Sequence, residues 1–222
     1  MSGRSEEPSP AGPALSAAAG RGQSEGEKLR LFVAIELPES WRDGLGRLQN
    51  DLRRDLDLRG HGLRWTATDG IHLTLKFLGE VEAARRPAIE SVLSAAVAGA
   101  RRLQLRPGRL ASFGNRGRPR LLWLGVDGDL DALAGLAAAI DAGFALLGFP
   151  RETRPFAAHL TLARINDNLD LQARQRVESL AARPDRRLDA PEFAVEEVCL
   201  IRSNLGRDGA RYETLLRVGL AP

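Results

Sequence analysis

The tetrapeptide His-Leu-Thr-Leu stands twice in this chain, at residues 72–75 and 159–162, each time at the same place in a longer series of elements. A repeated series constrains folding strongly, because two copies of one pattern build two copies of one unit that can pack about a pseudo-twofold axis. Ahead of the first copy, Leu31, Val33, Ile35 and Leu37 alternate with Arg30, Phe32, Ala34 and Glu36, the period of a strand that Pro38 closes. Trp41, Leu45, Leu48, Leu52 and Leu56 then recur along one helical face, and a polar loop, RWTATDG, leads into the motif. Ahead of the second copy, RLLWLGV reads as a strand, and Leu130, Leu133, Ala137, Ile140, Phe144 and Leu147 mark a helix that stops at Gly148 and Pro150. From Phe32 to His72 is 40 residues and from Leu122 to His159 is 37, which makes Leu122 the expected counterpart of Phe32.

Behind each motif comes a second short helix, with Ile89, Val92, Leu93 and Ala96 in one and Ala173, Val177 and Leu180 in the other. Apolar strands RLQLRPGRLASF and EFAVEEVCLIRS follow. The pattern predicts an α+β fold of two lobes, each a mostly antiparallel sheet covered by helices on one side, with a cleft between the uncovered faces. The copies run over about 29–118 and 119–219 within a single bilobal domain, 29–222. Residues 1–28 are Ser, Gly, Pro, Ala and charge, the composition of a disordered tail.

Composition narrows the setting. A hydrophobic content of 43% supports a real core, and the only cysteine, Cys199, lies in an apolar run, which points to a reducing cytoplasm and away from disulfides or a cysteine metal site. No window has the apolar length of a membrane helix, and no signal peptide is expected. The net charge is +3, carried almost wholly by arginine since only Lys28 and Lys76 are lysine; this allows a polyanionic partner without requiring one. A monomer is expected.

Strand alternation sends His72, Thr74 and Lys76 to one face and Leu73, Leu75 and Phe77 to the other; the same parity pairs His159 with Thr161. With the apolar faces in the core, two imidazoles and two hydroxyls meet across the cleft. That set suits phosphodiester cleavage. One neutral histidine can take a proton from water while a protonated one supplies the leaving oxygen, and threonine hydroxyls can donate to the phosphate oxygens as charge builds on them. No obvious carboxylate or cysteine cluster offers a metal site, and no cofactor is expected. His61, in RGHGLRW, has no such context and reads as a loop residue.

The paired His-x-Thr-x motifs resemble those of the two-histidine (2H) phosphoesterases. Within that group RLFVAIELP, RWTATDGIHLTLKFLGEV, FGNRGRPRLLWLGV, HLTLAR and GARYETL are similar to the bacterial and archaeal RNA 2′,3′-cyclic phosphodiesterases, formerly 2′-5′ RNA ligases. The resemblance implies metal-independent hydrolysis of an RNA 2′,3′-cyclic phosphate to a 2′-phosphomonoester. It makes His72 the proton donor, His159 the proton acceptor, and Thr74 and Thr161 the phosphate holders. Phe32 and Lys76, on the cleft side by parity, and Arg164, which matches the arginine ending the family's second motif, are further substrate-binding candidates; parity alone puts Arg164 off the His159 face, so the strand must twist or end there. The implied partner is RNA with a 2′,3′-cyclic end, or a cyclic nucleotide. Other cyclic phosphodiesters, a 2′-5′ linkage with its reverse ligation, and a non-catalytic RNA-end binding module are the alternatives. The family commonly has proline before the second histidine; here Ala158 leaves the backbone entering that strand less constrained.

Overall fold

The computed structural model describes residues 26–57, 62–115, 118–206 and 209–222. In chain order the elements are β1 (Lys28–Glu36), α1 (Glu39–Leu56), β2 (Leu63–Trp65), β3 (His72–Glu82), α2 (Arg86–Val97), β4 (Leu103–Asn115), β5 (Arg118–Gly128), α3 (Leu130–Leu146), β6 (His159–Ile165), α4 (Leu171–Ala181), β7 (Phe193–Val195), β8 (Glu197–Gly206) and β9 (Gly209–Gly219). They form two antiparallel sheets, β3-β1-β8-β9 and β2-β6-β5-β4-β7, so each motif strand lies in a different sheet, beside the strand that opens its own half.

The halves of the sequence are not the lobes of the fold. β4, from the first half, joins the sheet of the second motif; β8 and β9, from the second, complete the sheet of the first. The helices are exchanged as well: α2 and α3 pack together against the first sheet, α1 and α4 against the second. Trp41 on α1 is fully buried and donates its indole N–H to the Pro191 carbonyl at 2.7 Å, and buried Gln49 donates to the carbonyls of Thr66 and Leu162 at 2.8 and 3.1 Å. A buried amide with both bonds made is stabilising, whereas one left open costs about 1–3 kcal/mol. Most of each expected stripe buries: Trp41, Leu45, Leu48, Leu52 and Leu56 on α1, Leu133, Ala137, Ile140 and Phe144 on α3, Ile89 and Leu93 on α2, and Ala173, Val177 and Leu180 on α4; Leu130, at the first position of α3, is exposed, and Val92, Ala96 and Leu147 are half-buried.

Three local expectations change. Order begins before residue 29: Lys28 pairs with Glu82, and the Glu27 carbonyl accepts from Ala83. The rest of the expected tail, residues 1–25, and His61 lie outside the described residues. Part of the polar loop before the first motif is the edge strand β2, too short to show alternation, which pairs with β6. EFAVEEVCLIRS is two strands, since the chain leaves one sheet at Val195 and enters the other at Glu197. No helix is long and apolar enough to cross a membrane among the described residues.

Candidate active site

Both motif strands carry a β-bulge at the same point. Ala34 pairs with Thr74 but Val33 with Lys76, which leaves Leu75 unopposed; Trp123 pairs with Thr161 but Leu122 with Ala163, which leaves Leu162 unopposed. An extra residue reverses the alternation beyond it. His72 and Thr74 therefore face the cleft, Lys76 turns inward and Phe77 turns outward; likewise His159 and Thr161 face the cleft, Ala163 turns inward and Arg164 turns outward. The bulge supplies the change of face that Arg164 needed. It also moves the equivalence of the halves by one residue: Phe32 lies opposite Phe77 and Leu121 opposite Arg164, so Leu121, not Leu122, is the counterpart of Phe32.

His72 sits in an aromatic box. Phe32 stacks on its ring at 4.5 Å between centroids, with 27° between the planes, and Tyr212 of β9 meets it edge-on at 5.1 Å. Gly70 allows this closeness: a Cβ there would stand 2.9 Å from the Tyr212 ring. The Gly70 carbonyl also hydrogen-bonds the imidazole. Burial pushes His72 down to about 4, against the opposing effects of that carbonyl and the Glu36 charge. In the free protein the ring is therefore neutral at pH 7. Because its folded value lies below the ordinary 6.5, the unfolded chain takes up the proton first. Stability is fully present above pH 6.5 and falls by about 3 kcal/mol as the pH drops toward 4. The His72 imidazole signal in NMR should titrate near pH 4, and a phosphate anion bound beside it should move that midpoint upward; a midpoint at 6.5 in the free protein would contradict the geometry.

His159 is held by the same device. Its Nδ1 is 2.8 Å from the Ala157 carbonyl, two residues upstream as Gly70 is for His72, so Nδ1 carries the hydrogen and Nε2 of the neutral ring presents a lone pair. Trp123 and Phe113 meet the ring edge-on at 5.7 and 5.6 Å and stack on each other at 4.6 Å. Thr74 and Thr161 are half-buried, and neither hydroxyl is engaged by another side chain among the described residues. β3 and β6 approach each other although they belong to different sheets, which brings the two motifs together.

Phe32 and Lys76 are not where substrate would meet them. Phe32 does face the cleft side, but it is 3% exposed, packed with Ala34, Cys199 and Ile201 beneath His72. It is the floor under the imidazole and offers no open face to a base. Lys76 is on the core side of the bulge, its Nζ 2.5 Å from Asp141 of α3 and 2.6 Å from the Pro150 carbonyl. Arg164 is exposed, and its charge, with that of Arg30, acts to lower the Tyr212 phenol. Burial nevertheless holds the Tyr212 phenol above its ordinary value, so it remains a hydrogen-bond donor.

Tyr212, Trp123, Phe113 and Glu36 are site residues that sequence reasoning passed over. Tyr212 is the only tyrosine and lies within GARYETL, which was a signal; Phe113 and Trp123 gave none, because only the exchange of β4 brings the former to His159. Burial alone would raise the Glu36 carboxyl, but hydrogen bonds from Thr214 at 2.6 Å and Arg217 at 2.8 Å hold it low and charged beside His72. Glu36, Glu197 and Cys199 place possible metal-ligand atoms within 4.8 Å of one another. Arg217 already occupies that group, bonded to both carboxylates and 3.7 Å from the Cys199 sulfur. Burial raises the Cys199 thiol to about 12, so it is not a nucleophile at neutral pH.

The two bulged His-x-Thr strands lie in two different antiparallel sheets and approach each other, and each carries a histidine tied to a carbonyl two residues back. The family model for the 2′-5′ RNA ligase superfamily matches residues 37–207. The RNA 2′,3′-cyclic phosphodiesterase of Escherichia coli K12 is 31% identical over 201 residues, 87% of this chain and 98% of that one. That of Geobacillus stearothermophilus is 29% identical over 83% of this chain, which spans 55% of the length of that relative, and that of Methanothermobacter thermautotrophicus is 28% identical over 83% of this chain and 95% of its own. Among solved structures, E. coli LigT complexed with 3′-AMP covers 88% of this chain and 100% of its own at a TM-score of 0.68 and 28% identity. The chain belongs to the 2′-5′ RNA ligase superfamily, the two-histidine phosphoesterases.

Proposed function

We propose that the cleft hydrolyses the 2′,3′-cyclic phosphate at an RNA end to a 2′-phosphomonoester. The observation that carries this is the matched pair of imidazoles on equivalent strands, each with one nitrogen tied to a backbone carbonyl and the other free for the reacting group. Nε2 of His159 takes a proton from water as the oxygen attacks phosphorus, and the bond to the 3′ oxygen breaks as His72 protonates it. His72 is neutral in the free protein; an anionic phosphate set against it favours the charged form, so the proton is gained as the substrate docks. Thr74 and Thr161 donate to the non-bridging oxygens. Arg164 and Tyr212 hold the terminal nucleoside at the His72 end. All the proton transfers fall to protein side chains, so the reaction runs without a metal.

The curated relatives' names support RNA as substrate, and the 3′-AMP complex of LigT supports a nucleotide in such a cleft. The reading takes the enzyme as a monomer in a reducing cytoplasm, where buried Cys199 stays a thiol. The test is a product-resolved assay on an oligonucleotide ending in a 2′,3′-cyclic phosphate, with and without EDTA. The expected result is a 2′-phosphate at an unchanged rate in EDTA. A 3′-phosphate would overturn the leaving-group assignment, and loss of activity in EDTA would overturn the metal-free mechanism.

A further inference from the structure

The two bulges create one more pair of equivalent positions, the residue five places after each histidine. In the second half it is Arg164; in the first it is Phe77, opposite Phe32 in β1 as Arg164 is opposite Leu121 in β5. Phe77 is 69% exposed, unlike Leu73, Leu75 and Leu78 of the same strand, which are all buried. Without the bulge its parity would put it in the core. Its ring lies 6.0 Å from that of Phe32, which in turn stacks on His72, so the exposed face belongs to the aromatic group around the acid–base pair. Phe77 meets buried Phe32 on one side, and most of its ring faces water beside a cleft that handles nucleotides.

We propose that Phe77 is the stacking platform for a second base of the RNA end, the one next to the terminal nucleotide. This rests on the function proposed above. A cyclic phosphate joins two oxygens of a single ribose, so a mononucleotide brings one base, and the charged and phenolic groups at Arg164 and Tyr212 serve it. A twofold-related aromatic face is then spare unless the substrate carries another base. Phenylalanine accepts any base on its π-face, so the platform selects length without selecting sequence. The enzyme accordingly prefers an oligonucleotide end to a cyclic mononucleotide.

The experiment compares kcat/KM for a 2′,3′-cyclic mononucleotide and for a di- or trinucleotide with the same terminal base, in the wild type and in Phe77→Ala, Phe77→Leu and Phe77→Trp. The wild type is expected to favour the longer substrate. Phe77→Ala should lower kcat/KM for it by about 10- to 100-fold, mostly through KM, and leave the mononucleotide within a factor of about two. Phe77→Trp should retain the preference and Phe77→Leu should lose it, which separates stacking from simple bulk, and the melting temperature should not move. An equal loss on both substrates, or no loss on either, overturns the platform. A wild type that turns over neither substrate overturns the proposed function itself, an outcome distinct from any of these.

Discussion

Replacing His159 with alanine is expected to lower kcat on a cyclic-ended oligonucleotide by about a thousandfold, with little change in KM and none in fold. General acid–base catalysis by one positioned side chain contributes about 10²- to 10⁴-fold, and the loss falls on kcat because the imidazole acts chiefly in the transition state. His72→Ala should cost a similar factor. The double variant should be little worse than either single one, since acid and base act in one concerted displacement. The roles separate with a phosphodiester whose leaving group needs no proton, such as a nitrophenolate. His72→Ala should then recover most of its rate, while His159→Ala, still lacking the base for water, should not. The reverse pattern would exchange the roles, with burial-lowered His72 as base. Equal rates for wild type and both variants would remove the pair from the chemistry altogether.

The repeated order of elements was legible because each half carries a strand period and a helix period in the same order, and those periods report burial directly. His72, Thr74, His159 and Thr161 came to the cleft because they precede the bulges, where simple alternation still holds. Lys76, Phe77 and Arg164 come after them, and there parity misleads. A bulge is set by how two strands pair, and no residue of HLTLK or HLTLA announces it. The exchange of β4 and of β8–β9 between lobes is likewise a matter of long-range pairing, invisible in local pattern. Phe32 failed for a different reason: alternation correctly gave its face but not what covers it, and His72 and Tyr212 do so.

Lys76→Ala is expected to destabilise the protein by about 3–5 kcal/mol while leaving kcat/KM of the folded fraction nearly unchanged. The ammonium and the Asp141 carboxylate are 7% and 11% exposed, 2.5 Å apart, and join the first motif strand to helix α3 of the second half. Burial by itself would raise the Asp141 carboxyl; Lys76, the Glu152 amide at 3.1 Å and Arg151 at 2.6 Å outweigh it and hold the group charged. Removing the lysine leaves a buried carboxylate with only its weaker-placed partners, and the Pro150 carbonyl loses its donor. Thermal unfolding should shift by about 10 °C for a chain of this size. Pairing Lys76→Met with Asp141→Leu should restore much of that loss, because an apolar pair of similar volume pays no desolvation. The kinetic arm decides between strut and ligand. A lysine that touched phosphate would raise KM and steepen its dependence on salt when removed, whereas a strut joining β3 to α3 shifts the melting temperature and leaves KM alone.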